Sequence, residues 1–555
     1  MPERGSPPTV TYALGDLSGR VEDRLRVWAT GEYARRMWDR DHTLWSTEPI
    51  PELANRLGWL RLPYATDQVP DIKAFAEDAR ADTDRVVLLG MGGSSLAPEV
   101  YANTFGSASG HPWLTVLDST HPGAVKAVSG SIDPARTLFL VASKSGGTIE
   151  TLSLFRHFWG MASRVHDHPG DRFVALTDPG SGLEALAGER RFRRVFATPP
   201  EVGGRYSALT PFGLVPAALI GIDIESLLAK AAVMADECGP DLPVATNPGL
   251  KLGAVMGESA LAGRDKLTYI CSPAVTGFGA WIEQLVAEST GKNGTGIVPV
   301  AGEPLGDPES YGQDRLFVFM SLEGDQPSEW ATVQAGLRRR GHPVVTVTLR
   351  HLDELGAEMF RGEMAVASAG SILGINPFDQ PDVQVAKDLA RQAMSPEGLE
   401  GGVAEVSSDS PRLAGGLRAW GAMIEPGDYI GIHAYLPMGG PATPVLESLV
   451  PHLRDRYRVP VTLGYGPRFL HSTGQLHKGG ANNGVFLQLV DSPSLDIEVP
   501  EAGFSFGELI EGQAAGDYQA LSGRDRRVLR VRLTGDRRAA VETVAGLLGA
   551  TERGQ

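Results

Sequence analysis

SKSGGTIET, residues 143–151, follows directly on the apolar run LFLVA at 138–142. A strand, a tight loop of glycines and hydroxyl residues, and a helix from about Thr148 together predict an anion cradle. Backbone N–H groups and the positive end of the helix dipole converge on one spot there. Ser143, Ser145, Thr148 and Thr151 add hydroxyl donors around it. A second turn of the same kind, GMGGSSLAP at 90–98, follows the strand-like run 85–89. Neither turn carries the lysine of GxxxxGK[ST], which disfavours a nucleoside-triphosphate loop. Tight strand-to-helix turns also occur with no ligand, but two of them this rich in hydroxyls favour a phosphorylated small molecule.

Outward from these turns the pattern alternates. Strand-like runs at 85–89, 114–117, 137–142, 173–176 and 195–197 are separated by helical stretches near 97–104, 123–130, 148–162 and 182–188. This alternation predicts an α/β fold, a parallel sheet with helices on both faces. Ligands of such sheets gather at the carboxyl ends of the strands, where both turns fall. A second alternating unit has strands near 266–271, 316–321 and 344–349 and ends in a helix from about 381 to 394. The acidic, Gly- and Ser-rich stretch 396–416 reads as a linker. A third region has strands near 429–435, 459–463, 485–490 and 528–533. Residues 15–60, rich in Trp and Arg at helical spacing, read as an N-terminal helical arm. The expected organisation is an arm (1–60), two α/β domains (61–235 and 236–400) and a C-terminal α/β region (401–555).

The third region echoes the second. ESYGQDRLFVFMSL (309–322) and HSTGQLHKGGANNGVFLQLV (471–490) share S-x-G-Q ahead of a strand. An acidic helical segment follows each, HLDELGAEMF and FSFGELIEGQ, and the layout suggests a duplication.

Composition narrows the function classes. The 555 residues suffice for two to four domains, and 42% apolar with 21% charged residues is ordinary for a soluble globular protein. A net charge of −16 argues against nucleic acid, which wants a basic surface. It leaves room for a phosphate, since hydroxyls, amides and a few basic side chains suffice locally. The opening MPERGSPP has no apolar signal core and no apolar run reaches membrane-spanning length, so no membrane partner and a cytoplasmic location are expected. Cys238 and Cys271 stand far apart, and the 12 histidines include no HExxH. Neither a disulfide framework nor a metal site has sequence support.

Three further segments carry candidate chemistry. FGAWIEQLVAESTGKNG (278–294) is an amphipathic helix stopped by Gly291, with Gln284 and Glu288 four apart on one face. In the last turn the helix dipole and partial burial disfavour the charge of Glu288, which should raise its pKa toward the range of a general base. Taken alone, such a glutamate is more often a solvated helix charge. Arg205, in PEVGGRYSALTP, follows two glycines and precedes a helix. It suits either close approach to a developing oxyanion or a surface ion pair. Gln380 and Lys387, in NPFDQPDVQVAKDLA, are seven apart on one face of the helix from Pro381, with Gln380 at its N-cap side.

Taken together, GMGGSSLAP, SKSGGTIET, GGRYS, EQLVAESTGK and NPFDQPDVQVAK resemble the successive motifs of the glucose-6-phosphate isomerase family, in the family's order. They span about residues 85–395. The chain also resembles the isomerase half of certain bacterial transaldolase–isomerase fusions, without a domain of transaldolase length. The resemblance implies two sugar-isomerase (SIS) domains, normally in a homodimer with the active site at the subunit interface. It implies an aldose–ketose isomerase of glycolysis and gluconeogenesis, interconverting glucose 6-phosphate and fructose 6-phosphate through a cis-enediol(ate). No cofactor and no metal are implied. By motif, Ser94, Ser143, Lys144, Ser145 and Thr148 would hold the phosphate, and Gln284 and Gln380 would line the site. Glu288 would move a proton between C2 and C1, Arg205 would stabilise the enediolate, and Lys387 would assist ring opening.

The family also uses a ring-opening histidine in a setting like L-H-S-x-G-Q. Where it is expected this chain has Glu309, whereas L-H-S-T-G-Q stands at 470–475 in the third region. Either His471 is brought to the site by the tail, or Lys387 opens the ring without it, or the enzyme takes the open-chain sugar. His477 is a weaker candidate. Pro381-Asp382 after Gln380 is a second departure, affecting the local pocket wall. Competing readings are a non-catalytic sugar-phosphate sensor, an isomerase acting also on mannose 6-phosphate, and an amidotransferase-like enzyme. A sensor has no need of Arg205, Glu288 and Lys387 together, and an amidotransferase would need a nucleophilic cysteine at the N-terminus.

Overall fold

The computed structural model describes residues 6–395, 398, 402–493 and 495–550. A strand β1 (Thr9–Ala13) opens the chain and is followed by the helix Ser18–Thr30 and further short helices. The arm is thus helical as expected, but β1 leaves it to pair antiparallel with a strand more than 300 residues away. The first sheet contains β2 (Arg85–Gly90), β3 (Trp113–Leu117), β4 (Thr137–Ala142), β5 (Phe173–Thr177) and β6 (Arg194–Ala197), in the order β3-β2-β4-β5-β6. The second contains β7 (Lys266–Cys271), β8 (Val298–Ala301), β9 (Arg315–Leu322) and β10 (Val344–Leu349), in the order β8-β7-β9-β10-β1. The third contains β11 (Val406–Ser407), β12 (Tyr429–Tyr435), β13 (Val461–Tyr465), β14 (Gly484–Asp491) and β15 (Arg527–Leu533), in the order β13-β12-β14-β15-β11.

All three sheets run second strand, first, third, fourth, then an edge strand, the doubly wound order whose switch point holds ligands. Among the described residues every strand pair is parallel except β1 with β10. Helices cover both faces, and β4, β5, β12 and β14 are buried along their whole length. Second and third sheets therefore repeat one topology, and S-x-G-Q precedes β9 in one and β14 in the other. The acidic helical segments do not correspond: 351–360 follows the fourth strand β10, whereas 504–513 follows the third strand β14. Of the stretch read as a linker, residues 396, 397 and 399–401 lie outside the described residues, and the rest is not simply a linker: it supplies β11 and the start of the helix Leu413–Gly421. Among the described residues no helix is long and apolar enough to cross a membrane.

The third region packs against the first two. Ala287, Val298 and Val300 share an apolar cluster with Tyr429, Leu476, Phe486 and Leu521. The helix Phe506–Ser522 meets the helix Pro381–Ala393 through Gly512 and Gly516. A Cβ on Gly516 would come within 2.6 Å of the Ala390 backbone, and one on Gly512 within 2.6 Å of Met394. That close approach seats the helix carrying Lys387 on the third region.

Candidate active site

The strand–loop–helix at 137–162 forms as the sequence predicts, with Thr148 at the N-cap of the helix Ile149–Ala162. Thr148 makes no capping bond. Its hydroxyl instead shares a hydrogen bond of 3.0 Å with Ser143, whose oxygen also accepts from the amide of Gly146. Ser145 Oγ accepts from the amide of Gly147 at 3.3 Å. Ser145, Gly147 and Thr148 line a cavity of about 230 Å³ together with Glu150, Lys387, His471, Lys478 and Gln513. Ser94 and Ser143 are buried and form no part of this lining. Lys144 takes no part in it: its ammonium is engaged by Asp178 and the carbonyls of Pro199 and Pro200.

Glu150 is the residue that sequence reading passes over. It sits in the first turn of the helix Ile149–Ala162, 3% exposed. His471 Nε2 donates to its Oε1 at 2.8 Å, and Gln513 Nε2 donates to the same oxygen at 2.7 Å. Burial opposes the Glu150 charge, yet His471 and Lys387 hold its carboxyl below the usual range. Thr120 in turn donates to Gln513 at 2.7 Å. A carboxylate in the opening turn of a helix, favoured there by the dipole, was the available signal, but it does not name a histidine 321 positions away.

His471 ends the short 3₁₀ turn Arg468–His471, so the third region delivers it to the first sheet's loop. Glu309 stands on the exposed turn Pro308–Ser310, 3.7 Å from Arg340. His477 lies in the core of the third region, its Nδ1 2.9 Å from the hydroxyl of Tyr429. Burial there drives its pKa well below the ordinary histidine value.

A second group of side chains is centred on Arg205, which is 2% exposed. It donates to Ser289 (2.7 Å), to Gln380 (3.0 Å) and to the carbonyls of Pro377 (2.7 Å) and Asp379 (3.0 Å). It also pairs with Glu288 at 3.1 Å. Glu288 lies in the last turn of the helix Phe278–Thr290 as predicted. Helix position alone gave an incomplete picture of its setting, because two donors, Arg205 and Gln284, serve its carboxylate. Gln284 Nε2 donates to Glu288 at 3.0 Å and to the carbonyl of His471 at 2.7 Å. Glu288, Arg205, Gln284 and Gln380 do not line the 230 Å³ cavity, and Gln284 is the link that joins them to it. Lys292 buttresses the group from below, bonding the carbonyls of Asn376 and Asp379 and the Asp379 carboxylate. Burial and the neighbouring Arg205 push its pKa down to about 7.

Four of the predicted residues, Arg205, Glu288, Gln284 and His471, thus join the unpredicted Glu150 and Gln513 in one continuous network, with Lys387 beside Glu150 and the hydroxyl loop alongside, while Lys144 stands apart. One chain supplies every member. Its chemistry comprises a carboxylate beside a guanidinium, a histidine–carboxylate pair, and an amide- and hydroxyl-lined anion cradle.

Residues 72–302 match the model of the family "Phosphoglucose isomerase". The chain is 30% identical over 391 residues to the glucose-6-phosphate isomerase of Rubrobacter xylanophilus, which covers 61% of this chain and 90% of the relative. It is 32% identical over 407 residues to that of Symbiobacterium thermophilum, covering 63% and 89%. In fold it is similar to a glucose-6-phosphate isomerase from Chlamydia trachomatis, with a TM-score of 0.54, 21% identity, and coverage of 75% and 91%. The chain belongs to the phosphoglucose isomerase family.

Proposed function

We propose that the chain interconverts glucose 6-phosphate and fructose 6-phosphate by proton transfer through a cis-enediol(ate), as a step of glycolysis and gluconeogenesis. The observation that carries this reading is the Glu288–Arg205 pair, joined by one glutamine to the His471–Glu150 pair at the edge of the hydroxyl-rich loop.

The roles follow from the chemistry of each group. The hydroxyls of Ser145 and Thr148 hold the phosphate at the helix N-terminus, and the Gly146 and Gly147 amides join them by exchanging their long bonds to Ser143 and Ser145 for the phosphate oxygens. His471, oriented by Glu150, exchanges a proton with the ring oxygen, and Lys387 beside it stabilises the charge that develops as the ring opens. Glu288 takes the proton from one carbon and returns it to the next. Arg205, already held by five neighbours, stabilises the enediolate by its fixed positive charge beside Glu288. Sugar phosphates differing only at C2 present the same phosphate and ring oxygen to these groups.

Turnover of fructose 6-phosphate by the wild-type chain, with chelator present, tests the reading beside Glu288→Gln. Loss of about 10²- to 10⁴-fold in kcat is expected for a missing general base, with binding of a sugar-phosphate inhibitor retained. Inhibitor binding without wild-type turnover would favour a sensor instead.

A further inference from the structure

We propose that Arg468 is the positioning residue that fixes the ring-opening histidine, by clamping the turn that carries it onto the phosphate-loop side of the first domain. The inference rests on the reading of His471 given above.

The turn Arg468–His471 sends its side chains to different bodies. Phe469 is buried in the third region, its ring 4.2 Å from that of His433. Leu470 and His471 line the cavity. Arg468 reaches across to the first domain, where its Nη1 donates to Glu99 at 3.0 Å and to Asp118 at 2.8 Å, and its Nη2 to the other Glu99 oxygen. Glu99 belongs to the first turn of the helix Leu96–Phe105, and Asp118 follows directly on β3. Ser95 donates to Asp118 at 3.3 Å and to the carbonyl of Gly92 at 3.0 Å, which ties the same carboxylate to the glycine turn.

The Arg468 side chain is 15% exposed, with Glu99 at 19% and Asp118 at 5%. The fork of a guanidinium satisfies both carboxylates at once, a geometry an ammonium does not reproduce. His471 itself meets the first domain through a single bond to Glu150. The turn's backbone also accepts from Gln284 and rests on Gly92, and Phe469 seats it in the third region; the guanidinium three residues upstream is its charged anchor to the first domain. With the anchor loosened, the imidazole keeps its chemistry but loses its fixed position against the ring oxygen, and a small misplacement of a reacting group is costly.

The experiment compares Arg468→Lys, His471→Ala and wild type on two substrates. One is fructose 6-phosphate, which is a closed ring in its ground state. The other is 5-deoxyfructose 6-phosphate, which lacks the hydroxyl that closes the furanose and stays open. The expected result for Arg468→Lys is a fall in kcat of about tenfold or more on the ring form, with KM little changed and the open-chain rate within about threefold of wild type. Equal losses on both substrates, or no loss, would overturn the proposal. His471→Ala separates the two layers of the argument. A ring-selective defect there without one in Arg468→Lys defeats the clamp alone, while an unselective defect in His471→Ala defeats the histidine's role and the clamp with it. If Arg468→Lys does not fold, Glu99→Gln loosens the same guanidinium while leaving Asp118 paired, and the same substrate ratio decides.

Discussion

Gly92→Ala tests whether the glycine turn after β2 exists to let the histidine turn approach. Gly92 has φ of +54°, a left-handed conformation that costs an L side chain about 1–2 kcal/mol. The added Cβ would lie 2.6 Å from the carbonyl oxygen of His471 and 2.8 Å from Gln284 Nε2. Those two atoms are the partners of the bond that joins the Glu288 group to the histidine turn. Ordinary C···O contact lies near about 3.3 Å, so both partners must retreat by about half an ångström or more. A misplacement of about 1 Å costs on the order of 10²-fold in rate, so this shift should lower kcat by about 10- to 30-fold. The strain is small beside a typical stability of about 5–15 kcal/mol, so the variant should fold. The assay is the initial rate of glucose 6-phosphate formation through a coupled dehydrogenase, with a thermal melt alongside. A kcat within twofold of wild type in a folded variant would refute the argument.

Other consequences are as direct. Thr148→Val should raise KM for the sugar phosphate severalfold, whereas Lys144→Met should leave KM nearly unchanged, because Asp178 already occupies that ammonium; steady-state kinetics on both variants decides. Glu283, half-buried on the helix Phe278–Thr290, is pushed up to about 7 by burial, with Arg468 opposing. The contribution of its protonated form is fully present below its unfolded pKa of about 4.3 and is lost as pH rises through about 7. Glu283→Gln should therefore stabilise the chain at pH 8 by about 2 kcal/mol, allowing for its partial exposure, and leave it unchanged near pH 4; urea midpoints at the two pH values check this. Because one chain holds every named group, specific activity should stay constant on dilution to nanomolar enzyme, and a fall paralleling dissociation would contradict it.

What the sequence makes legible follows from where information is local. β4, β7, β10 and β12 coincide with the runs read as strands, because each is short, rich in β-branched or aromatic residues and mostly buried. The edge strands β3, β6 and β13 are also legible, but three others are not, for physical reasons. β8 carries a proline, which an edge tolerates, β11 has two residues, and β1 finds its partner only across the whole domain. The same division runs through the site. The loop 143–151, the 284/288 spacing and the helix from Pro381 are local patterns and read directly. Lys144 shows the limit of motif reading, because its partner Asp178 is set by the neighbouring strand. Glu150 with His471, Thr120 with Gln513, and Arg468 with Glu99 are meetings of the third region with the first, and no local pattern encodes them.

The central claim, that Glu288 carries a proton between adjacent carbons, is tested most directly by following deuterium from C2 of labelled glucose 6-phosphate. The account predicts that part of the label reaches C1 of fructose 6-phosphate, that the rest exchanges with solvent, and that Glu288→Gln abolishes both. Complete retention of label at C1 with no solvent exchange would indicate a hydride shift and contradict it. So would undiminished exchange in Glu288→Gln.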